Sequence, residues 1–346
     1  MSTIGSSYPD VDTALIDMMD AVFADYRKKH PAAHAPTGVD DDLWSTLSGL
    51  GLVRLTGAES DGGSGAGWYE SAQLHAAAVR HGVRTPLAEH DLLASWLLEA
   101  AGLEAGHARR TICVIADDGV AKQVPWAADA DRVVLLWCSI DGDRIADVET
   151  GLLTITPGTN LVGEPRDDIQ ADVERLRWAT VSPKLVAQLQ RKSALLRAIQ
   201  VCAALDCIVE LSIQHATSRV QFGRPLSRFQ AVQNLISDIA AEAALARSAT
   251  EAALAAAVRH DWVGDQTDFH VAVARSCCGH AASVVVRNAH QVHGAIGTTA
   301  EHRLHEYTRA ALSWRAEYGS VRYWDDRVTA AAMRAGQDGL WALISG

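Results

Sequence analysis

Apolar residues recur every three or four positions along most of the chain, a period that predicts a mainly α-helical protein. From Val11 to Tyr26, the residues Ala14, Leu15, Met18, Met19, Val22 and Phe23 mark one helix face. A loop with Pro31 and Pro36 follows, and a second helix starts near Asp41, turns Leu43, Trp44 and Leu47 inward and stops at Gly49 and Gly51. Beyond the permissive Glu59-Ser-Asp-Gly62-Gly63 stretch, helices are predicted from Tyr69 to His81 and from Leu87 to Ala101, joined through Gly82 and Thr85-Pro86. Residues 1–108 thus read as an N-terminal helical domain.

Between Thr111 and about Thr180 the period changes. Thr111 to Ala116 and Arg132 to Cys138 are rich in β-branched residues, and Leu152 to Pro157 alternates. A small β-domain over 109–184 is the expectation. From 185 to 346 helical spacing returns, with helices predicted near Lys192 to Ser218, Ser227 to His260, Thr267 to His290, Glu301 to Ala310 and Val321 to Met333. Long helices with short connections predict a four-helix bundle.

The first two bundle helices are parted by Arg219-Val-Gln-Phe222-Gly223-Arg224-Pro225, followed by Phe229-Gln230. Glycine and proline suffice to break a helix. An arginine fork suits a diphosphate, an aromatic ring offers a flat wall and a glutamine can read an amide or ribose, so Arg219, Phe222 and Gln230 are candidates for holding a nucleotide cofactor. A plain helix corner with a surface arginine is the alternative. Gln291-Val-His-Gly294-Ala-Ile-Gly297 sits between two later helices, where its glycines can close one and release the next.

These segments resemble the acyl-CoA dehydrogenases. Arg-x-x-Phe-Gly followed by Phe-Gln is similar to the corner of that family's C-terminal bundle, and the Gln291 segment to its Gln-x-x-Gly-Gly-x-Gly, with Ala295 in place of one glycine. Trp44 before Leu-Gly-Leu, an acidic residue before Gly62-Gly63, Thr85-Pro86 before Glu89-His90, and Val124-Pro-Trp126 leading to Asp129 and Asp131 extend the resemblance over nearly the whole chain. It implies an N-terminal helical domain, a reduced middle β-domain and a C-terminal four-helix bundle. It also implies FAD as cofactor, with Arg219, Phe222, Gln230, Gln291, Gly294 and Ser320 as contacts and an acyl-CoA thioester desaturated at its α,β bond as substrate.

The chain departs from the family in two places. The Glu-Pro-x-x-Gly-Ser-Asp type loop that touches the flavin ring is missing, since only Ala116-Asp-Asp-Gly-Val-Ala-Lys-Gln lies between Ile115 and Val124. Where one subgroup carries its catalytic base, the chain reads Ala316-Glu317-Tyr318-Gly319-Ser320, with Tyr318 at the base's position and Glu317 one residue early; where another subgroup carries it, Ser193 stands. A carboxylate suits the role if burial raises its pKa, which makes Glu317 the candidate. The resemblance therefore implies a short subunit paired with a longer homologue in a heterotetramer, as in actinobacterial steroid-CoA dehydrogenases, passing electrons to an acceptor such as electron-transfer flavoprotein. The alternatives are a self-sufficient homo-oligomer using Glu317 and a non-catalytic scaffold.

Composition narrows the remaining classes. A formal charge of −11 without a basic run speaks against a nucleic-acid binder. Six cysteines show no zinc-type Cys-x-x-Cys pair and read as reduced. No signal-like start is visible, and no stretch is expected to reach the ~18 to 20 apolar residues of a membrane span, so a cytoplasmic setting is expected. His215, His290 and His293 form no His-x-x-x-His pair with a carboxylate, so no metal site is assigned.

Overall fold

The computed structural model describes residues 11–31 and 38–345. Pro36 of the first loop lies outside the described residues. Helices α1 (Thr13–Lys29), α2 (Asp41–Gly49) and α3 (Trp68–Arg80) start the chain, the first two capped by the carboxylates of Asp12 and Asp40. Met19, Phe23, Leu43, Leu47, Leu74 and Leu87 close a first core. Next, Ala88–Ser95 winds as a π-helix before α4 (Trp96–Ala100), and all eight of its residues are buried. The wider turn delivers Glu89, His90 and Asp91 into the interior in succession.

Seven strands follow: β1 (Arg110–Ile115), β2 (Val120–Pro125), β3 (Arg132–Trp137), β4 (Arg144–Glu149), β5 (Thr154–Thr156), β6 (Arg166–Gln170) and β7 (Ala179–Thr180). They form one sheet in the order β1-β3-β4-β7 and another in the order β2-β6-β5. β3 is buried on both faces: Val133 and Leu135 point between the sheets, while Val134 and Leu136 pack on the helices. Four of these strands escape the hydrophobic pattern, because β4 and β6 are rich in charge, β7 has two residues and β2 is interrupted by Lys122 and Gln123.

The 36-residue α5 (Pro183–Ser218) begins at Pro183, capped by Ser182, nine residues before the predicted start. Leu195, Leu196, Ile199, Val201, Leu205 and Ile208 bury it nearly all round. A hairpin of β8 (Val220–Gln221) and β9 (Arg224–Pro225) then turns the chain into α6 (Gln230–Arg259), followed by α7 (Asp265–His293), α8 (Leu304–Trp314) and α9 (Val321–Ser345). α9 runs past the predicted end at Met333, with a break at Gly336. The mainly α architecture agrees with the expectation. The membrane estimate needs correction: Asp265–Thr298 is long and apolar enough to cross a bilayer, with mean hydropathy 1.3, yet most of its apolar stretch is buried within the protein.

Candidate cofactor face and a charge-filled cleft

Phe222 and Gly223 form the two-residue turn of the β8–β9 hairpin, both at positive φ (52° and 80°). Turns of this kind favour Asn-Gly, because a bulky side chain at positive φ is strained by ~1–2 kcal/mol. Phe222 meets Phe229 edge-on at 6.2 Å between ring centroids but is 90% exposed, so packing within the chain offsets little of that strain. Nearby, among the described residues, the guanidiniums of Arg219 and Arg228 make no ion pair, and Arg224 stacks over Phe229 at 4.1 Å without a carboxylate partner. Three cations and a presented ring in an acidic protein fit an anionic ligand that also carries an aromatic system. The diphosphate and adenine of FAD meet that description.

Gln291 and Gly294 lie at the same end of the bundle, because His215, one turn before Arg219, stacks on His293 at 4.5 Å between ring centroids. Both Gln291 and Gly294 are exposed, and Gly294 (φ 64°, ψ −143°) has a backbone only glycine adopts readily. Gly297 has a packing role instead: a Cβ there would come within 2.8 Å of the Cβ of His293. Gln230 is exposed and donates its amide to Asn234 Oδ1 at 3.0 Å. Ser320 stands apart from this group. It caps α9, its Oγ accepting the Tyr323 N–H at 3.2 Å, in the turn that carries Glu317.

Glu317 occupies a setting different from the one expected of a base. Arg197 Nε donates to its Oε2 at 2.7 Å and Arg166 Nε to its Oε1 at 3.0 Å. Burial alone would raise its pKa, but the two guanidiniums outweigh it and hold the carboxyl below its usual range. A proton-abstracting base needs the opposite shift, so the geometry speaks against Glu317 in that role.

The clamp belongs to a larger network that the sequence pattern does not reveal. Arg197 Nη2 also donates to Glu89 Oε1 at 2.6 Å, and Arg166 Nη2 to Glu164 Oε2 at 3.0 Å. Glu164 in turn accepts from Trp314 Nε1 at 2.9 Å and faces Arg84 at 3.7 Å. Three arginines thus alternate with three glutamates from every layer of the fold, and Arg197 is 1% exposed. Arg275 anchors the turn from below, donating Nη2 to the Glu317 carbonyl at 2.6 Å. Tyr318, next in sequence, is held at φ 54°. The one sequence signal for Arg197 is its lone charge within the apolar run from Ala194 to Cys202.

A cleft of about 570 Å³ opens between Ile112–Val114 of β1, the bulge at Gln123–Pro125 and the Glu317 turn. A second, of about 550 Å³, lies on the other side of Tyr318 against α5, α7 and α9. α5 connects this region with the cationic corner: Arg197 and Arg219 are 22 residues apart on the continuous helix and its cap, or roughly 33 Å at 1.5 Å per residue.

Residues 188–322 match the family described as acyl-CoA dehydrogenase, C-terminal domain. Acyl-CoA dehydrogenase IpdE2 of Mycolicibacterium smegmatis is 28% identical over 290 residues, covering 81% of this chain and 84% of the relative. IpdE2 of Mycobacterium tuberculosis is 29% identical over 281 residues, covering 79% and 81%. Residues 188–322 thus belong with the acyl-CoA dehydrogenase C-terminal domains, and the relatives extend the similarity to acyl-CoA dehydrogenases over most of the chain. Among acyl-CoA dehydrogenase structures, the steroid ACAD Tcur3481-Tcur3483 superposes with TM-score 0.81 at 19% identity, over 93% of this chain and 98% of that one. The ChsE4-ChsE5 complex from Mycobacterium tuberculosis gives the same score and identity over 95% and 99%.

Proposed function

We propose that this chain is a subunit of an FAD-dependent acyl-CoA dehydrogenase, pairing with a longer homologue and lending its cationic corner to a cofactor whose ring the other subunit shelters. The observation that carries this reading is the separation of Arg219, at the C-terminal cap of α5, from the Glu317 cleft, which meets the same helix near its middle at Arg197. A corner some 33 Å along the helix from its own cleft is placed to serve another subunit's. The missing flavin loop and the ion-paired Glu317 support the same division of labour.

In such an assembly Arg219, Arg224 and Arg228 would neutralise the diphosphate, Phe222 would wall the adenine side, and Gln230, Gln291 and the Gly294 backbone would fix the nucleotide. Bound FAD supplies the hydride acceptor for desaturation, and an acceptor such as electron-transfer flavoprotein would take the electrons onward. The partner would supply the α-proton base. The steroid ACAD and the two-component complex among the structural neighbours support a heteromer and a bulky polycyclic acyl-CoA.

The test is to purify the chain alone and together with a longer homologue. Flavin absorbance is expected in the mixed complex and not in the chain alone. A colourless complex, or full turnover by the isolated chain, contradicts the proposal.

A further inference from the structure

The bundle end that carries the corner also gathers histidines from three segments. His215 lies in the last turn of α5, His293 at the end of α7, and His302 just before α8. Each can offer one ring nitrogen, and those nitrogens all lie within 4.8 Å of one another. The His293 ring is fixed: its Nδ1–H donates to the Ala289 carbonyl at 2.8 Å, which leaves a bare lone pair on Nε2. That Nε2 is buried and, among the described residues, has no hydrogen-bond partner. A carbonyl pinning one nitrogen while the other stays bare is how a metal-ligating histidine is oriented.

We propose that His215, His293 and His302 form a site for a first-row divalent cation of the imidazole-preferring kind, with Zn²⁺ the first candidate. Zn²⁺ binds imidazole nitrogens at ~2.0–2.1 Å, which sets them roughly 3.4 Å apart, with water completing the tetrahedron. His293 is buried, while His215 and His302 are half-buried and would have to turn toward it. His215 must tilt out of its 24° stack on His293 to aim a nitrogen at the ion. His302 Nδ1 accepts the Leu304 N–H at 3.1 Å, so ligation through Nε2 requires its proton to move to Nδ1 and that bond to open. Among the described residues no carboxylate joins the group, and Arg219 lies one turn away, so affinity rests on metal–nitrogen bonds, which disfavours Mg²⁺ and Ca²⁺. A bound ion would pin α5, α7 and the segment before α8 to one another. The site does not depend on the cofactor reading.

The test uses tag-free full-length chain stripped with EDTA and titrated with Zn²⁺ against a chromophoric chelator. One Zn²⁺ per chain and a higher melting temperature are expected, with no response to Mg²⁺. His293→Ala should weaken binding by at least ~10-fold, and His107→Ala, at an exposed remote position, should not. His302→Ala, checked by circular dichroism, serves if His293→Ala does not fold. Absence of saturable binding, or wild-type affinity in both cluster variants, overturns the site.

Discussion

Arg197 donates Nε to Glu317 at 2.7 Å, joining the middle of α5 to a turn 120 residues later. Because Arg197 also holds Glu89, this contact ties the N-terminal helices, the β-domain and the bundle into one buried network. Removing one partner of a buried pair costs about 3–5 kcal/mol, since the remaining charges lose their compensation.

Glu317→Gln should therefore act on stability. A loss of roughly 3 kcal/mol in urea denaturation is expected. Unchanged stability with abolished turnover by the isolated chain would return Glu317 to the role of base.

Asp91 gives a second handle on the interior. Burial raises its pKa from 3.8 to about 6, against the lowering effect of its Thr56 hydrogen bonds. Between about pH 4 and 6 the folded chain keeps a proton the unfolded chain has lost, so stability falls as pH rises through that window, by about 3 kcal/mol at most. Asp91→Asn should raise stability at neutral pH and flatten that slope. A variant less stable than wild type at pH 7 contradicts this.

Lys192 sits among Trp68, Trp96 and Trp262, its Nζ 4.3 to 4.9 Å from their ring centroids. Burial lowers its pKa from 10.5 to about 7, while Asp261 and Asp91 pull it back upward. The indole faces also favour the ammonium. The folded state gives up this proton before the unfolded state does, so stability should rise from about pH 7 to about pH 10. Lys192→Met should remove the rise and raise stability at neutral pH, because the buried charge is gone. Calorimetry across that range checks both statements, and an unchanged pH slope in the variant counts against the assignment.

Phe222→Gly removes a side chain from a positive-φ position where it is 90% exposed. It should stabilise the isolated chain by about 1 kcal/mol and weaken flavin retention in the assembled enzyme. A variant that loses stability would show that the ring packs where the hairpin leaves it open.

The helices were legible where one face is apolar, as in α1, where Met19 and Phe23 keep the period. The corner was legible because Arg219, Phe222 and Gln230 exceed what a turn requires. The strand β6, Arg-Asp-Asp-Ile-Gln, was not, because its Arg166 is buried through pairing with Glu164 and Glu317, which no local pattern encodes. The π-helix at Ala88–Ser95 was hidden for a similar reason: Glu89, His90 and Asp91 read as a polar face until their long-range partners are in place. His302 joins His215 and His293 only through the packing of α5, α7 and α8.

The proposed role of the corner is to hold a cofactor that another subunit completes. Flavin content of the complex with the longer homologue, measured by absorbance for wild type and Arg219→Ala at equal assembly, tests it most directly. A complex that stays assembled but loses most of its flavin is the expected result; an Arg219→Ala complex with wild-type flavin would contradict it.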